Sequence, residues 1–181
     1  NYNNKFFMCP DTSGISEIRL YECVNFPFKW KFYKTIKKNI NSVDNIIFKS
    51  KGLWWLFTNI DQSKTGDFSH DFSIFYSKKS PLTNRWKSHS LNPIKINSLE
   101  SRNAGILFEN KKIIRISQVQ GFDNYGESIN FHLIKTLTTK KYKENLINNK
   151  NFLKIKKNLN NPNIHHFSKI KNDIMVDFKP S

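Results

Sequence analysis

Lys51-Gly52-Leu53-Trp54-Trp55-Leu56-Phe57-Thr58-Asn59 begins as a polar turn, continues as a run of large apolar residues and ends on small polar side chains. The same order recurs at residues 4–11, 110–118 and 172–177. The equivalent positions in the four copies lie 48, 59 and 60 residues apart, at Cys9, Phe57, Ile116 and Val176. This period is close to that of β-propeller blades and too long for most solenoids.

Further apolar segments flank the repeated unit. One precedes each of the last three copies, at residues 44–48, 104–108 and 164–167. Segments rich in Phe, Tyr and Ile follow the first two copies, at residues 18–21 and 72–76. Alternating apolar and polar residues between Gly, Asn and Pro turns predict four short antiparallel strands per blade, the preceding segment being the innermost. The sequence therefore predicts an all-β, β-propeller-like domain.

One stretch departs from the strand pattern. Residues 138–150 carry helix-forming Lys, Glu and Leu after a Thr-Thr pair that could cap a helix. The sequence predicts a short helix or an irregular excursion there.

The chain is strongly basic, with a formal net charge of +16. Its lysines are spread along the whole sequence, which is typical of a solvated surface, although those of the C-terminal third could meet an anionic partner. No helix-turn-helix, zinc-finger or RNA-binding signature is present, so we expect no specific nucleic-acid partner. Cys9 and Cys23 match no common zinc spacing, and we expect buried or half-buried thiols, no metal site and no cofactor.

Lys, Asn or Asp interrupts every apolar run before about 20 residues, so the sequence predicts no membrane span. The chain opens on Asn1 without the basic leader and apolar core of a signal sequence. We therefore expect a cytoplasmic domain whose true N-terminus lies upstream.

Several segments resemble one known family. They are residues 26–30, 43–48, 54–59, 91–95 and 101–105. These segments resemble the propeller domain at the N-terminus of plant glucosamine inositolphosphorylceramide transferases, and the resemblance spans nearly the whole chain. Similar bacterial domains are fused to formyltransferase-like or glycosyltransferase-like modules. The resemblance implies a fold similar to the five-bladed propellers of glycoside hydrolase family 43. Residues 1–181 would form a single partial domain of about three to four blades, the first blade being absent.

The chain departs from the family pattern at three polar positions. It has Asp11 where the family usually has Glu, and Asn103 within a segment that usually reads Arg-Pro-Ala-Gly-Arg. Val119 follows Ser117-Gln118 where the family shows Asp. These changes affect residues that the resemblance would place near the central channel.

Glycoside hydrolysis generally requires two carboxyl groups that face each other across the scissile bond. Asp11 and Asp44 are the catalytic candidates, because they end and begin strands that could point into one funnel. The resemblance implies a further acidic residue from the first blade. As an alternative, both aspartates could simply cap turns.

Five other residues are candidates for ligand binding. Arg102 could grip a phosphate, a carboxylate or a pair of sugar hydroxyls, or could form a buried salt bridge. The amides of Gln118 and Asn59 suit hydroxyl groups, and one ring of His165-His166 could face the channel. Trp54 could stack on a sugar, although core packing is the better explanation for both Trp54 and Trp55.

Three functions follow from the resemblance together with these residues. The first is a carbohydrate-binding or carbohydrate-modifying propeller that acts in cell-surface glycan or glycolipid biosynthesis, with its site in the central channel. The second is a glycoside hydrolase of the family 43 type, so whether the chain is itself an enzyme stays open. The third is a noncatalytic scaffold for a fused or associated transferase module.

Overall fold

The computed structural model describes residues 1–120, 127–148, 150, 157–158, 163–170 and 173–179. Its strands there are antiparallel and form four sheets that follow one another along the chain. The all-β prediction is confirmed. The number of blades in a complete propeller stays a prediction.

The first sheet contains three strands in the order β1-β2-β3. They are β1 (Phe7–Met8), β2 (Glu17–Asn25) and β3 (Lys29–Lys38). The second sheet has the order β4-β5-β6-β7, and β8 also pairs with β6. Its strands are β4 (Ser42–Ser50), β5 (Leu53–Ile60), β6 (Asp71–Ser77), β7 (Lys87–Ser88) and β8 (Lys95–Ile96).

The third sheet has the order β12-β11-β10-β9, and the fourth is a hairpin. The strands are β9 (Asn103–Glu109), β10 (Lys112–Val119), β11 (Ser128–Leu137), β12 (Tyr142–Ile147), β13 (Asn163–Ile170) and β14 (Asp173–Lys179). The apolar segments predicted to precede each repeat are confirmed as strands, since they form β4, β9 and β13. Each of these is the first strand of its sheet and lies at one sheet edge.

The prediction of a helix or an irregular excursion after Thr138 is wrong for Tyr142–Ile147, which is strand β12. This segment pairs with β11 along its length. Its polar side chains are used by tertiary contacts, because Glu144 accepts hydrogen bonds from the buried Arg115. Tertiary pairing therefore overrides the local helix preference.

Apolar side chains fill the space between successive sheets. Ile18 and Leu20 of the first sheet pack with Leu56 and Phe75 of the second. Three further packed pairs show that the second sheet meets the third and the third meets the fourth: Phe57 with Ile106, Phe72 with Tyr142, and Phe131 with Phe167. Successive sheets thus pack against each other in chain order.

Gly105 marks a close approach between the third and fourth sheets. Its backbone has φ +142°, and a Cβ atom there would overlap the backbone oxygen of Phe167. Only glycine combines this conformation with this contact. Strands β9 and β13, from neighbouring sheets, therefore lie closer together than they could with a side chain at this position.

The two thiols are free and half-buried. Cys9 lines a cavity of about 190 Å³ together with Tyr2, Leu20 and Trp54. Burial, aided by the nearby Asp11 carboxylate, raises the pKa of Cys9 to about 12. Cys9 is therefore protonated at neutral pH and behaves as a small apolar side chain.

No helix within the described residues is both long enough and apolar enough to pass through a bilayer.

Candidate functional site

Asp44 lies at the start of β4, where the strand is irregular. The pairing of β4 with β5 shifts register between Val43 and Ile46. Asp44 itself adopts φ 52°, in the left-handed region that non-glycine residues seldom occupy. A bulge of this kind re-aims the side chain and commonly occurs next to functional sites. Such a conformation persists only where neighbouring contacts enforce it.

Those contacts come from two other sheets. Asp11, in the loop between β1 and β2, accepts a hydrogen bond from the Asp44 backbone N–H at 3.0 Å through Oδ1. Arg102, which directly precedes β9, donates from Nε to Asp44 Oδ2 at 2.8 Å. Asn103 donates from Nδ2 to the Asp44 carbonyl oxygen at 3.3 Å. Residues of the first and third sheets therefore meet at Asp44 of the second.

The group is partly open to solvent. The side chains of Asp44 and Arg102 are 23% and 14% exposed, and Asp11 is exposed. Burial raises the pKa of Asp44, and the neighbouring Asp11 adds to this rise, whereas Arg102 opposes it. Asp44 thus keeps a proton to higher pH than an ordinary aspartate, although a guanidinium lies against it.

His166, on β13, completes this group. Its imidazole is close enough to Asp44 for that carboxylate to raise its pKa, although desolvation is the larger effect and lowers the pKa overall. We call Asp11, Asp44, Arg102, Asn103 and His166 the Asp44 site. It draws on all four sheets.

Two of the candidates from the sequence lie behind this site. Gln118 is buried, donates from Nε2 to the Asn103 carbonyl oxygen at 3.4 Å, and bonds through its backbone N–H to the Arg102 carbonyl oxygen at 2.7 Å. Asn59 is fully buried. It donates to the carbonyl oxygens of Asp71 and Ser101 and accepts from the Asn103 N–H. Both amides therefore support the segment that carries Arg102.

The two remaining candidates contact other residues. His165 faces Asp177 on the neighbouring strand, with 3.9 Å between Nδ1 and Oδ2. Trp54 lies near the far end of the β4–β5 hairpin, opposite Lys49, and its ring packs edge-on against Tyr2. The structure thus brings together Asp11, Asp44 and Arg102, with Gln118 behind them.

Two residues of the site, Asn103 and His166, were not among the sequence candidates. Asn103 stood out only as a departure from the family pattern. The His165-His166 pair did indicate that one imidazole would face the site, because neighbouring strand residues point to opposite faces, but the alternation does not decide which.

A second polar cluster lies deeper between the second and third sheets, and we call it the Arg115 network. Arg115, fully buried, donates to both Glu144 carboxylate oxygens, Nε to Oε2 at 2.9 Å and Nη2 to Oε1 at 2.7 Å. Lys95 donates to Glu144 at 2.8 Å, and Tyr142 donates to it at 2.5 Å. Burial alone would raise the pKa of Glu144, but these cations hold it below its usual range.

The Arg115 network reaches the Asp44 site through the backbone. Arg115 donates to the carbonyl oxygens of Glu100 at 2.6 Å and Ser101 at 3.3 Å, and to Asn103 Oδ1 at 3.4 Å. These residues flank Arg102. The buried guanidinium of Arg115 therefore fixes the loop that presents the partly exposed guanidinium of Arg102.

Chemically, the Asp44 site offers carboxylate acceptors beside guanidinium, amide and imidazole groups. Adjacent donors and acceptors of this kind match the hydroxyl groups of a polyol. The residues described contain no cluster of three or more His, Cys, Asp or Glu side chains that could hold a metal ion.

Comparison with known proteins gives a consistent match. The family described as "Glucosamine inositolphosphorylceramide transferase 1, N-terminal" matches residues 1–174. Glucosamine inositolphosphorylceramide transferase 1 of Arabidopsis thaliana is 36% identical over 151 residues, which is 80% of this chain and 19% of that protein. The protein of the same name from Oryza sativa subsp. japonica is 33% identical over 151 residues, 81% of this chain and 20% of its own length. The chain thus spans about a fifth of the length of these relatives.

Proposed function

Because the chain belongs to the family of the glucosamine inositolphosphorylceramide transferase 1 N-terminal region, we propose that it is a carbohydrate-binding domain that acts in glycolipid or cell-surface glycan biosynthesis. The Asp44 site holds the sugar. A transferase module, fused or associated, carries out the transfer that gives the relatives their name.

One observation carries the proposal: the ion pair between Arg102 and Asp44, held at 2.8 Å and still partly open to solvent. Asp44 stays in a left-handed backbone conformation that Asp11 and Asn103 enforce. A structural salt bridge has no need of an enforced backbone, whereas a binding site needs its groups fixed before the ligand arrives. Arg102 can grip two neighbouring hydroxyls with its fork of donors, while the carboxylates accept from them.

The test is calorimetric titration of the chain with a panel of neutral and phosphorylated sugars and sugar nucleotides. We expect Asp44→Asn and Arg102→Lys each to weaken binding about tenfold or more, because each removes a charge-assisted or bidentate hydrogen bond. Asp67→Asn, in the loop between β5 and β6, serves as the matched control and should bind like the wild type. Equal affinities in all four proteins, or no affinity for any sugar, would refute the site.

A second candidate function, glycoside hydrolysis, is favoured by one specific observation. Two carboxylates, Asp11 and Asp44, adjoin each other, and the pKa of Asp44 is raised by burial and by Asp11. A carboxyl group that keeps its proton is what a general acid needs beside an ionised partner. Arg102, bonded to the same carboxylate, works against this use.

Hydrolysis is tested by incubating the chain with a panel of 4-nitrophenyl glycosides. Release of nitrophenol that disappears in both Asp44→Asn and Asp11→Asn would establish the hydrolase. Its rate should fall as the pH rises through the elevated pKa of Asp44. If the chain binds sugars but releases no nitrophenol, the binding function is supported and the hydrolase function is refuted.

A further inference from the structure

The hairpin between β2 and β3 presents aromatic side chains to solvent on an ordered turn. The Phe28 N–H donates to the Asn25 carbonyl oxygen at 2.8 Å, and Trp30 Nε1 donates to the Pro27 carbonyl oxygen at 2.8 Å. These bonds close the turn, yet Phe26 and Phe28 remain 63% and 86% exposed. The turn is thus ordered without burying either phenyl ring.

The exposed apolar surface continues along the first sheet. The rings of Phe6 and Phe26 lie 4.9 Å apart between centroids. The exposed members of the surface, which we call the hairpin patch, are Phe6, Met8, Val24, Phe26, Phe28 and Phe32. Exposed large apolar side chains gathered on one hairpin and the strand beside it are typical of an interaction site.

Positive charge lies beside the hairpin patch. Residues 23–38 contain five lysines and neither Asp nor Glu. Lys29 and Lys31 are exposed beside the turn. The acidic residue just before this segment, Glu22, is buried and paired with Lys5 at 2.7 Å and with Lys31 at 3.8 Å. The rim of the patch is therefore basic.

We propose that the hairpin patch docks the protein onto an anionic lipid bilayer, with Phe26 and Phe28 inserted at the level of the headgroups. Aromatic side chains favour this interface, and lysines near a negatively charged membrane surface add electrostatic attraction. The charge pattern selects this partner, since the phenyl rings project from a turn instead of lining a groove and the surrounding cations match phospholipid headgroups. The proposal is independent of the sugar site.

The experiment is cosedimentation of the 181-residue chain with vesicles of phosphatidylcholine alone or with about 30% phosphatidylserine. We expect binding to the anionic vesicles, weakened about tenfold or more in Phe26→Ser/Phe28→Ser because two apolar side chains no longer leave water. Leu146→Ser, a comparably exposed apolar residue on β12, is the control for that pair and should bind like the wild type.

Charge is tested separately. Lys29→Glu should weaken binding to the anionic vesicles only, whereas Lys79→Glu, exposed after β6, should reduce it much less. Anionic-vesicle binding that is equal in the wild type and Phe26→Ser/Phe28→Ser would overturn the proposal. The proposal would also fail if the wild type bound neither vesicle type and instead self-associated, while Phe26→Ser/Phe28→Ser was monomeric by sedimentation. The patch would then be a contact between copies of the protein.

Discussion

At the scale of single residues, Asp44 is fixed more by its backbone than by its charge. Asp11 and Asn103 bind its N–H and its carbonyl oxygen, so only the carboxylate is left for Arg102 and a ligand. This division explains why Asp44→Asn is the informative substitution. It removes the charge without removing the two backbone bonds that hold the residue in place.

His132 should make stability depend on pH. Burial, followed by the charge of Arg115, lowers its pKa from 6.5 to about 4. Between these values the unfolded chain binds a proton that the folded protein does not, so this contribution to stability is full above pH 6.5 and is lost as the pH falls toward 4. The loss amounts to about 3 kcal/mol, since one pKa unit corresponds to 1.36 kcal/mol.

The measurement is urea unfolding of the wild type and of His132→Gln at several pH values between 7 and 4.5. The variant should show a flatter profile whatever its absolute stability. Ser117→Ala removes only the hydroxyl that lies 2.8 Å from the His132 ring, so it should keep the wild-type slope. Parallel slopes for wild type and His132→Gln would contradict the assignment. The pKa of His166 is also lowered, so His166 changes stability with pH in the same direction. Because it is present in every protein compared, its contribution cancels from the difference between them.

The composition of the site could be predicted from the sequence only in part. Asp11 and Asp44 were identified because they end and begin strands that could point into one funnel, and Arg102 because of its guanidinium within the segment that resembles the family. Asn59 follows the same rule but is fully buried, because the Asn103 N–H and two carbonyl oxygens use its amide. The position at a strand end predicts where in the fold a side chain lies. The groups that hydrogen-bond to that side chain determine whether a ligand can reach it.

At the scale of elements, the contact between β9 and β13 depends on one glycine. Gly105→Ala should cost about 3 kcal/mol or more in the free energy of unfolding, because the new methyl group would collide with the Phe167 backbone, which cannot rotate away. Gly52→Ala is the matched control. Gly52 also has positive φ, at +77°, but is surrounded by open space, so it should cost only about 1 kcal/mol. Equal costs in chemical unfolding would show that the sheets can separate freely there.

The Arg115 network joins the second sheet to the third. Arg115→Met should destabilise the fold by about 3 kcal/mol, because it leaves the buried Glu144 carboxylate with Lys95 as its remaining cation. Arg115→Met/Glu144→Leu should recover much of this loss, since no uncompensated charge then stays buried. Urea unfolding of the two single variants and the double variant measures the coupling. Additive losses would mean that the two side chains act independently.

The elements themselves could be predicted well where the apolar pattern was long. Strands β4, β9 and β13 follow from their apolar runs alone. Strand β12 could not be predicted, because Lys, Glu and Asn at its positions favour no strand and its stability comes from β11 and from Arg115, 29 residues away from Glu144. These contacts are made with residues distant in sequence, so the residues within and around β12 do not reveal them.

At the scale of the whole molecule, the net charge of +16 should give strong but nonspecific affinity for polyanions. Retention on heparin should fall steeply with salt, because the Debye length shortens from about 8 Å at 0.15 M to about 3 Å at 1 M. Affinity for a neutral sugar at the Asp44 site should change little over the same range. If sugar affinity and heparin retention fell in parallel, the binding would be a property of the charged surface and not of the site.

Because Cys9 is protonated at neutral pH, a thiol reagent can label Cys23 selectively. With its thiol pKa raised to about 12, Cys9 should react only slowly with maleimides at neutral pH. The other free thiol, Cys23, is the one to label, and it is adjacent to Val24 of the hairpin patch. An environment-sensitive fluorophore could therefore be attached near the β2–β3 turn without any engineered cysteine. Its emission would report on whatever surface covers the exposed phenyl rings.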